Sequence, residues 1–413
     1  MVVVAQLGAR MHYAVPAILA RAGMLERLYT DTYAPRLPGP LQAAALQHGP
    51  VPVRRWLGRV PHDIPEDRII SFPAMGFEYY RRRRFAGTSG SMTAAHLWAG
   101  REFCRRVIQC GLGNTKSVYT YNSAGLELLK HARERGLYTI TEQTFVPERI
   151  HQEILSQEQA TYPKWSVSSL ENPLISAYED REQMEWSAAA LILCGSEFVR
   201  DGIQAQGGPV ARCRVVPYGV RVPFLVEPKD RCHWPLRVLT VGAVGLRKGT
   251  PYVLTVAQTL KGKAEFRMAG QLDVTPYAQK LLREHVTLLG AVPRAEIDQQ
   301  FAWADVFLLP TLCEGSATVC YEALSHGLPV ITTPNAGSVV RDGVDGFIVP
   351  IRDSAAIGDR IERLADDGDL WAAMSANARA RAADYTLEKY GERLLGALRS
   401  VKSTANQGVF QNA

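Results

Sequence analysis

An α/β fold in two doubly wound halves is what this sequence predicts, and three observations carry it. Short apolar runs alternate with helical segments along the chain, the pattern of parallel strands joined by crossover helices. The length, 413 residues, exceeds one ordinary hydrophobic core and implies two domains. The alternation also stops and restarts. Pro223 to Pro235 is Pro-rich and polar, as a linker is, and Leu236-Arg237-Val238-Leu239-Thr240-Val241-Gly242 then opens a second set of strands.

Taken in order, Val2–Leu7 reads as a first buried strand, followed by a helix over Val15–Ala22 that Gly23 ends. Ser117–Tyr121 and Leu137–Thr141 are the next clear strands. Ala188–Cys194 is another and leads into a helix capped by Ser196. Arg214–Val220 closes the first half. In the second half Val286–Gly290, Ala304–Pro310 and the run from Val330 read as buried strands, with helices near residues 355–381. The predicted units are residues 1–222, 223–384 and 385–413, the last a helix over Leu387–Leu398 and a small polar tail after Ser400 that frays.

Composition narrows the class. With 46% hydrophobic and 21% charged residues the chain is ordinary globular material. No run of eighteen apolar residues predicts a membrane-spanning helix, and Met1–Gly8 lacks the basic start of a secretory signal. The seven cysteines are odd in number and form no C-x-x-C pair, so neither a disulfide framework nor structural zinc is expected and the cytoplasm is the predicted compartment. The nine histidines show no metal-ligand spacing. Asp367-Gly368-Asp369 falls between two helical stretches and reads as a connecting turn.

Charge is uneven. Residues 1–110 carry 15 Lys/Arg against 7 Asp/Glu, while the whole chain is only +6. Arg54-Arg55-Trp56 and Phe77-Glu78-Tyr79-Tyr80-Arg81-Arg82-Arg83-Arg84-Phe85 lie in this stretch. Such a mixture suits a solvated helix face with snorkelling arginines, anionic lipid head groups or nucleic acid. No nucleic-acid module is present in the sequence, so no nucleic acid is expected as a partner; the solvated face and contact with an anionic membrane surface both stand as readings of these residues.

The densest chemistry lies in Glu314-Gly315-Ser316-Ala317-Thr318-Val319-Cys320-Tyr321-Glu322. It reads as a loop carboxylate and a helix of about ten residues, which Gly327 stops before a buried strand. A helix N-terminus beyond a strand end offers unpaired N–H groups and partial positive charge, a seat for phosphate. Glu314 and Glu322, separated by at most ~12 Å of helix rise, flank that seat, so each can accept hydroxyls from one sugar of a sugar–diphosphate–ribose ligand. A second constellation, Gly242-Ala243-Val244-Gly245-Leu246-Arg247-Lys248-Gly249-Thr250, follows the first strand of the second half. Its glycine spacing matches neither a dinucleotide fingerprint nor a P-loop. It offers a turn with two adjacent cations, suited to the charge that develops on a diphosphate leaving group.

The segment from Glu314 resembles the E-x7-E signature of retaining family 4 glycosyltransferases, E-G-F-G-x-x-x-x-E-A-x-A-x-G-x-P-V. Glu314, Gly315, Glu322, Ala323, Gly327, Pro329 and Val330 match, whereas Ser316 and Ala317 depart from it. Pro334–Ser338 and Asp342–Val349 add to the likeness, which covers roughly residues 190–398. The resemblance implies the GT-B architecture, two Rossmann-like domains facing across a cleft, with an acceptor-binding first half and a donor-binding second half. It implies an enzyme that moves a sugar from a nucleoside diphosphate sugar, UDP- or GDP-linked, to a hydroxyl of a glycan, lipid-linked or small acceptor in polysaccharide or glycoconjugate biosynthesis. No metal cofactor is implied. A nucleotide-sugar epimerase and a non-catalytic nucleotide-sugar binder are the alternatives.

Roles follow from the same resemblance. Arg247 and Lys248 grip the diphosphate, although the family's Arg usually stands where this chain has Ala243. The backbone from Gly315 through Ser316, Ala317 and Thr318 to Val319 completes the anion site. Glu314 fixes the transferred sugar, Glu322 takes the ribose hydroxyls, and Gly242 and Gly290 border the nucleotide. Where the family usually has a His after the strand Leu137–Thr141, this chain has Glu142 or Gln143, making Glu142 a catalytic candidate. Arg10, His12 and Asn122, on loops that follow apolar strands, are the acceptor-side candidates.

Overall fold

The computed structural model describes residues 1–34, 57, 59–61, 63–167, 172–221 and 233–408. Arg54-Arg55-Trp56, the predicted boundary at residues 222–223 and most of the linker lie outside the described residues.

Among the described residues the first half holds a seven-stranded parallel sheet in the order β3-β2-β1-β4-β5-β6-β7. Its strands are β1 (Val2–Gln6), β2 (Leu25–Thr30), β3 (Ile69–Ser71), β4 (Ser117–Tyr121), β5 (Tyr138–Gln143), β6 (Leu191–Cys194) and β7 (Cys213–Val215). Helices α1 (Ala14–Arg21), α2 (Pro73–Arg84), α3 (Ser89–Cys110), α4 (Leu126–Glu134), α5 (Glu148–Thr161), α6 (Ile175–Ala188) and α7 (Glu197–Ala205) accompany it. Every residue of β1 and of β4 is buried, which is why such strands read as apolar runs without alternation.

The second half holds a six-stranded parallel sheet in the order β10-β9-β8-β11-β12-β13. Its strands are β8 (Leu236–Val241), β9 (Ala264–Ala269), β10 (Val286–Gly290), β11 (Val306–Leu309), β12 (Val330–Thr332) and β13 (Gly346–Ile348). Helices α8 (Thr250–Thr259), α9 (Pro276–Arg283), α10 (Arg294–Trp303), α11 (Thr318–Ser325), α12 (Ser354–Asp366) and α13 (Gly368–Ala383) precede the last helix, α14 (Leu387–Gly408).

Several element bounds move, and the last helix, expected to end at Leu398 before a fraying tail, runs on to Gly408. Strand β5 runs past Thr141 to Gln143 and takes Glu142 into the sheet. Residues before Leu191 end helix α6 instead of starting β6. β7 stops at Val215, and Val220 makes an isolated bridge to Thr386. Asp367 is a helix cap, its carboxylate accepting the Leu370 N–H at 2.9 Å. No helix among the described residues is long and apolar enough to cross a membrane.

Chain segments of each half pack into the core of the other. Trp165, together with Ile154 and Tyr162, joins the core of the second sheet. On the same segment Glu158, fully buried, accepts hydrogen bonds from the Arg352 guanidinium and, at 2.8 Å, from Tyr252 OH. In return Tyr390, Leu394 and Leu398 of α14 sit in the first core beside Ile18 of α1.

Candidate active site

In an open parallel sheet, ligands bind beyond the carboxyl ends of the strands where the strand order reverses. In the second sheet that point lies between β8 and β11, and the two loops leaving it carry Arg247, Lys248 and Glu314. They are stitched together: Leu312 N–H donates to Arg247 O at 2.9 Å, and an Arg247 Nη1–H donates to Cys313 O at 3.1 Å. Gly249 has φ +72°, and a Cβ there would sit on the Pro310 carbonyl, so only glycine lets the loops close this tightly.

The three charges meet in one cluster. Lys248 Nζ lies 2.6 Å from Glu314 Oε1, and the Arg247 guanidinium donates to the same oxygen. Thr311 OH adds a further hydrogen bond at 3.2 Å. Burial pushes the Glu314 pKa up, but Lys248 and then Arg247 outweigh it and hold the carboxylate below its usual range. Glu314, predicted to face a sugar, therefore spends its charge on the two cations. A diphosphate entering here competes with that carboxylate for them.

Helix α11 starts at Thr318, three residues later than the run from Gly315 suggests. Residues 314–317 cross over the end of β12, with Glu314 N–H donating to Asn335 O and Ala317 N–H to Ala336 O, both at 3.0 Å. Ala317 is thus corrected: its N–H is engaged inside the fold and is not offered to an anion. The Ser316 side chain is also turned inward, 2.7 Å from Tyr321 OH and donating to Gly337 O at 3.0 Å. Thr318 and Val319 form the first turn, whose N–H groups have no partner within the helix. Gly327, φ +70°, stops the helix, with Leu328 N–H donating to Ala323 O at 3.1 Å.

Glu322 and Thr318 border a cavity of about 480 Å³ between the halves, faced from the first half by His12, Arg21, Asp63 and Arg221. His12 lies on an unusual turn: Met11, His12 and Tyr13 have φ of 45°, 51° and 62°. Each such residue costs about 1–2 kcal/mol in an L-chain. Buried Tyr13 offsets this by donating to Thr32 O at 3.0 Å, and Gln6 Nε2 donates to Gly8 O and Arg10 O. Gly290, φ +68°, ends β10, and its carbonyl accepts from Gly270 N–H at 2.7 Å. Gly242 leaves β8 against the Lys248 side chain.

In the first sheet the order reverses between β1 and β4, the strands that lead to Arg10 and Asn122. Arg10 donates to Thr144 Oγ1 at 2.6 Å, and Thr144 OH donates to Asn122 Oδ1 at 2.8 Å. The halves meet here. A Cβ on Gly315 would sit on the Thr144 carbonyl, Arg247 Cζ stands 5.5 Å from the Phe145 ring centroid, and Ser196 OH donates to Gly315 O. Arg10, Asn122, Arg247, Lys248, Glu314 and Gly315 are thereby joined by direct contacts. The sequence marks Ser196 only as a helix cap and does not mark Phe145. The glycine at 315 is their one trace, since it marks a close backbone approach.

Glu142 is a correction. It is only 3% exposed and points into the first core, accepting from Tyr119 OH and, at 2.8 Å, from Tyr218 OH. Burial raises its pKa against the pull of those hydroxyls. Gln143 is equally interior, donating to Glu182 at 2.6 Å. Neither side chain faces the cleft, because β5 extends through both.

The profile of the family described as glycosyl transferases, group 1, matches residues 235–367. The chain is 29% identical over 191 residues to the amylovoran biosynthesis glycosyltransferase AmsK of Erwinia amylovora, covering 42% of this chain and 47% of that one. It is 29% identical over 175 residues to the alpha-D-kanosaminyltransferase of Streptomyces kanamyceticus, covering 40% and 45%. The chain thus matches about half the length of these relatives. Among solved structures, Anabaena HepE in complex with UDP superposes with a TM-score of 0.63 at 15% identity, over 97% of this chain and 99% of that one. The chain carries the GT-B fold, and its residues 235–367 are similar to the group 1 glycosyl transferases.

Proposed function

We propose that this protein is a retaining, family 4-type glycosyltransferase that moves a sugar from a nucleoside diphosphate sugar to an acceptor hydroxyl in glycoconjugate or polysaccharide biosynthesis. The observation that carries the reading is the Arg247–Lys248–Glu314 cluster at the switch point of the second sheet, in contact through Thr144 and Phe145 with the switch-point loops of the first. HepE is solved with UDP and with UDP-glucose, which supports a donor of that kind here.

In the proposed reaction the bond from the sugar's anomeric carbon to the diphosphate oxygen breaks while the acceptor oxygen bonds to that carbon on the same face. The acceptor proton passes to the departing phosphate oxygen. Arg247 and Lys248 meet the growing negative charge, as do the first-turn N–H groups of α11. Glu314 is released from the cations toward the sugar hydroxyls, and Glu322, across α11, takes the ribose. The two cations and the helix terminus neutralise the diphosphate without a metal ion, so no metal is assigned to the site.

We also assign a membrane-facing role to α2. Phe77, Tyr80 and Phe85 are 67%, 57% and 78% exposed on and just after it, beside Arg83 and Arg84. Three expected contributors have partners within the fold. Tyr79 turns inward onto His96 at 2.7 Å. Arg81 and Arg82 are paired with Glu78, and Arg82 lies on the Trp98 ring. The function is tested by nucleotide release from a panel of UDP- and GDP-sugars with and without cell lipid extract. Conversion of the sugar without transfer marks an epimerase, and binding without turnover a non-catalytic binder.

A further inference from the structure

Helix α5 leaves the first sheet and lies along the second half. Its first residue is fixed to the first half, the Glu148 N–H donating to the Glu182 carboxylate of α6 at 3.0 Å. From there the helix packs on the turn Leu246–Lys248, and Ile154 shares a core with Val244 and Leu246. Beyond its end the Trp165 carbonyl accepts the Thr275 N–H at 3.1 Å. The loop that carries Arg247 and Lys248 is held against this helix on both sides. Ahead of α5 the Phe145 ring stands 5.5 Å from Arg247 Cζ. Past the loop, Tyr252 in the first turn of α8 donates its hydroxyl to Glu158 at 2.8 Å, and the Tyr162 ring meets the Tyr252 ring edge-on at 5.9 Å. From Glu148 to Glu158 is about 15 Å of helix, enough to brace the whole loop.

Glu158 itself is wholly buried. Its second partner is the Arg352 guanidinium, from a residue held at φ +66° just ahead of α12. Residues other than glycine seldom take that conformation, and keep it only where their surroundings fix it. Burial, and then the Glu158 carboxylate, push the Tyr252 hydroxyl pKa up, which keeps the proton on the donor. A buried carboxylate is costly unless it is paired and hydrogen-bonded. Glu158 therefore draws Tyr252 and Arg352, both of the second half, to one point on a helix that the first half supplies.

We propose that Glu158 is a positioning residue for the donor diphosphate: through Tyr252 it fixes the exit of the loop bearing Arg247 and Lys248, so that α5 sets where these cations stand. The proposal rests on the glycosyl-transfer reading for its meaning, but its test needs no turnover. Glu158→Gln and Tyr252→Phe, which removes one hydroxyl and keeps the ring, are compared with the parent. Val107→Ala, in a core of the first half that shares no residue with the loop, is the control for simple loss of stability. Calorimetry with UDP, GDP, UMP and GMP reads the grip on the outer phosphate. Amide hydrogen exchange reads residues 246–252 with no ligand present. Glu158→Gln and Tyr252→Phe should each lose at least tenfold in affinity for the diphosphates and less than threefold for the monophosphates. Residues 246–252 should exchange at least tenfold faster in both, with β4 exchanging as in the parent, and Val107→Ala should show neither change. The proposal is overturned if exchange of 246–252 is unaltered in both variants, if mono- and diphosphates lose affinity alike, or if Val107→Ala reproduces the pattern. A parent that binds none of the four nucleotides defeats the donor reading separately, and exchange alone then upholds or overturns the bracing of the loop by Glu158.

Discussion

Lys248 Nζ stands 2.6 Å from Glu314 Oε1, so the first acid of the E-x7-E pair and the second cation of the glycine loop form one ion pair, 66 positions apart in sequence. The Arg247 guanidinium shares the same oxygen. The carboxylate neutralises the two cations, and on the proposed reading it yields them to the diphosphate of the donor.

Glu314→Gln tests that exchange. Removing the competing charge should tighten binding of the bare nucleoside diphosphate by roughly tenfold, since hydrogen bonds to charged groups are worth about 1.5–3 kcal/mol. Turnover should fall at least tenfold, because the group that orients the sugar is blunted. Calorimetry and steady-state kinetics on the same preparation decide it. Unchanged nucleotide affinity would mean the ion pair persists in the complex.

Glu322→Ala should weaken nucleoside diphosphate binding by about 1.5–3 kcal/mol, the worth of charge-assisted hydrogen bonds to the ribose. The side chain is half-buried on α11 and borders the cavity between the halves. Titration of UDP and GDP against both proteins reads the difference, and equal affinities take Glu322 out of the site.

Stability should fall as pH rises from about 5 to 9. Burial pushes the Glu182 carboxyl up to about 8 and Glu185 up to about 7, both against hydrogen bonds from backbone N–H groups. A carboxyl whose folded pKa stands above its unfolded value binds more protons when folded. Its contribution is complete below the ordinary carboxylate pKa near 4.5 and is lost as pH climbs through 7 to 8. Melting temperatures between pH 5 and 9 should decline for the parent and decline less steeply for Glu182→Gln. An identical slope in both proteins removes Glu182 as a source.

Docking to anionic vesicles should depend on α2 and on salt. Phe77→Ser with Phe85→Ser, or Arg83→Gln with Arg84→Gln, should each release the protein from phosphatidylglycerol vesicles at low salt. Binding of the parent should fade toward 1 M salt, where the Debye length shrinks to about 3 Å. Co-sedimentation measures both. No binding of the parent at low salt leaves these residues as a solvated face.

What could be read from the sequence was local. The apolar run Ser117–Tyr121 is β4 residue for residue, because a strand buried on both faces carries its own signature. The Glu314–Glu322 spacing and the Arg247–Lys248 pair were visible because loop, helix and glycine stop are consecutive. Glu142 was misread because Thr141-Glu142-Gln143-Thr144 looks like a polar loop. What buries it is Tyr119 and Tyr218, 23 and 76 positions away. Nothing in the sequence marks Glu158 as buried, since its partner Arg352 is 194 positions on.

The most direct test of the account is nucleotide release, measured in excess EDTA, from a panel of UDP- and GDP-sugars supplied with glycan and lipid-extract acceptors. Parent protein is compared with Arg247→Ala/Lys248→Ala. The account predicts release from at least one donor, with the sugar recovered on an acceptor in the donor's anomeric configuration and turnover lowered at least a hundredfold by the double substitution. Full activity of the double variant, or release from no donor, would contradict it.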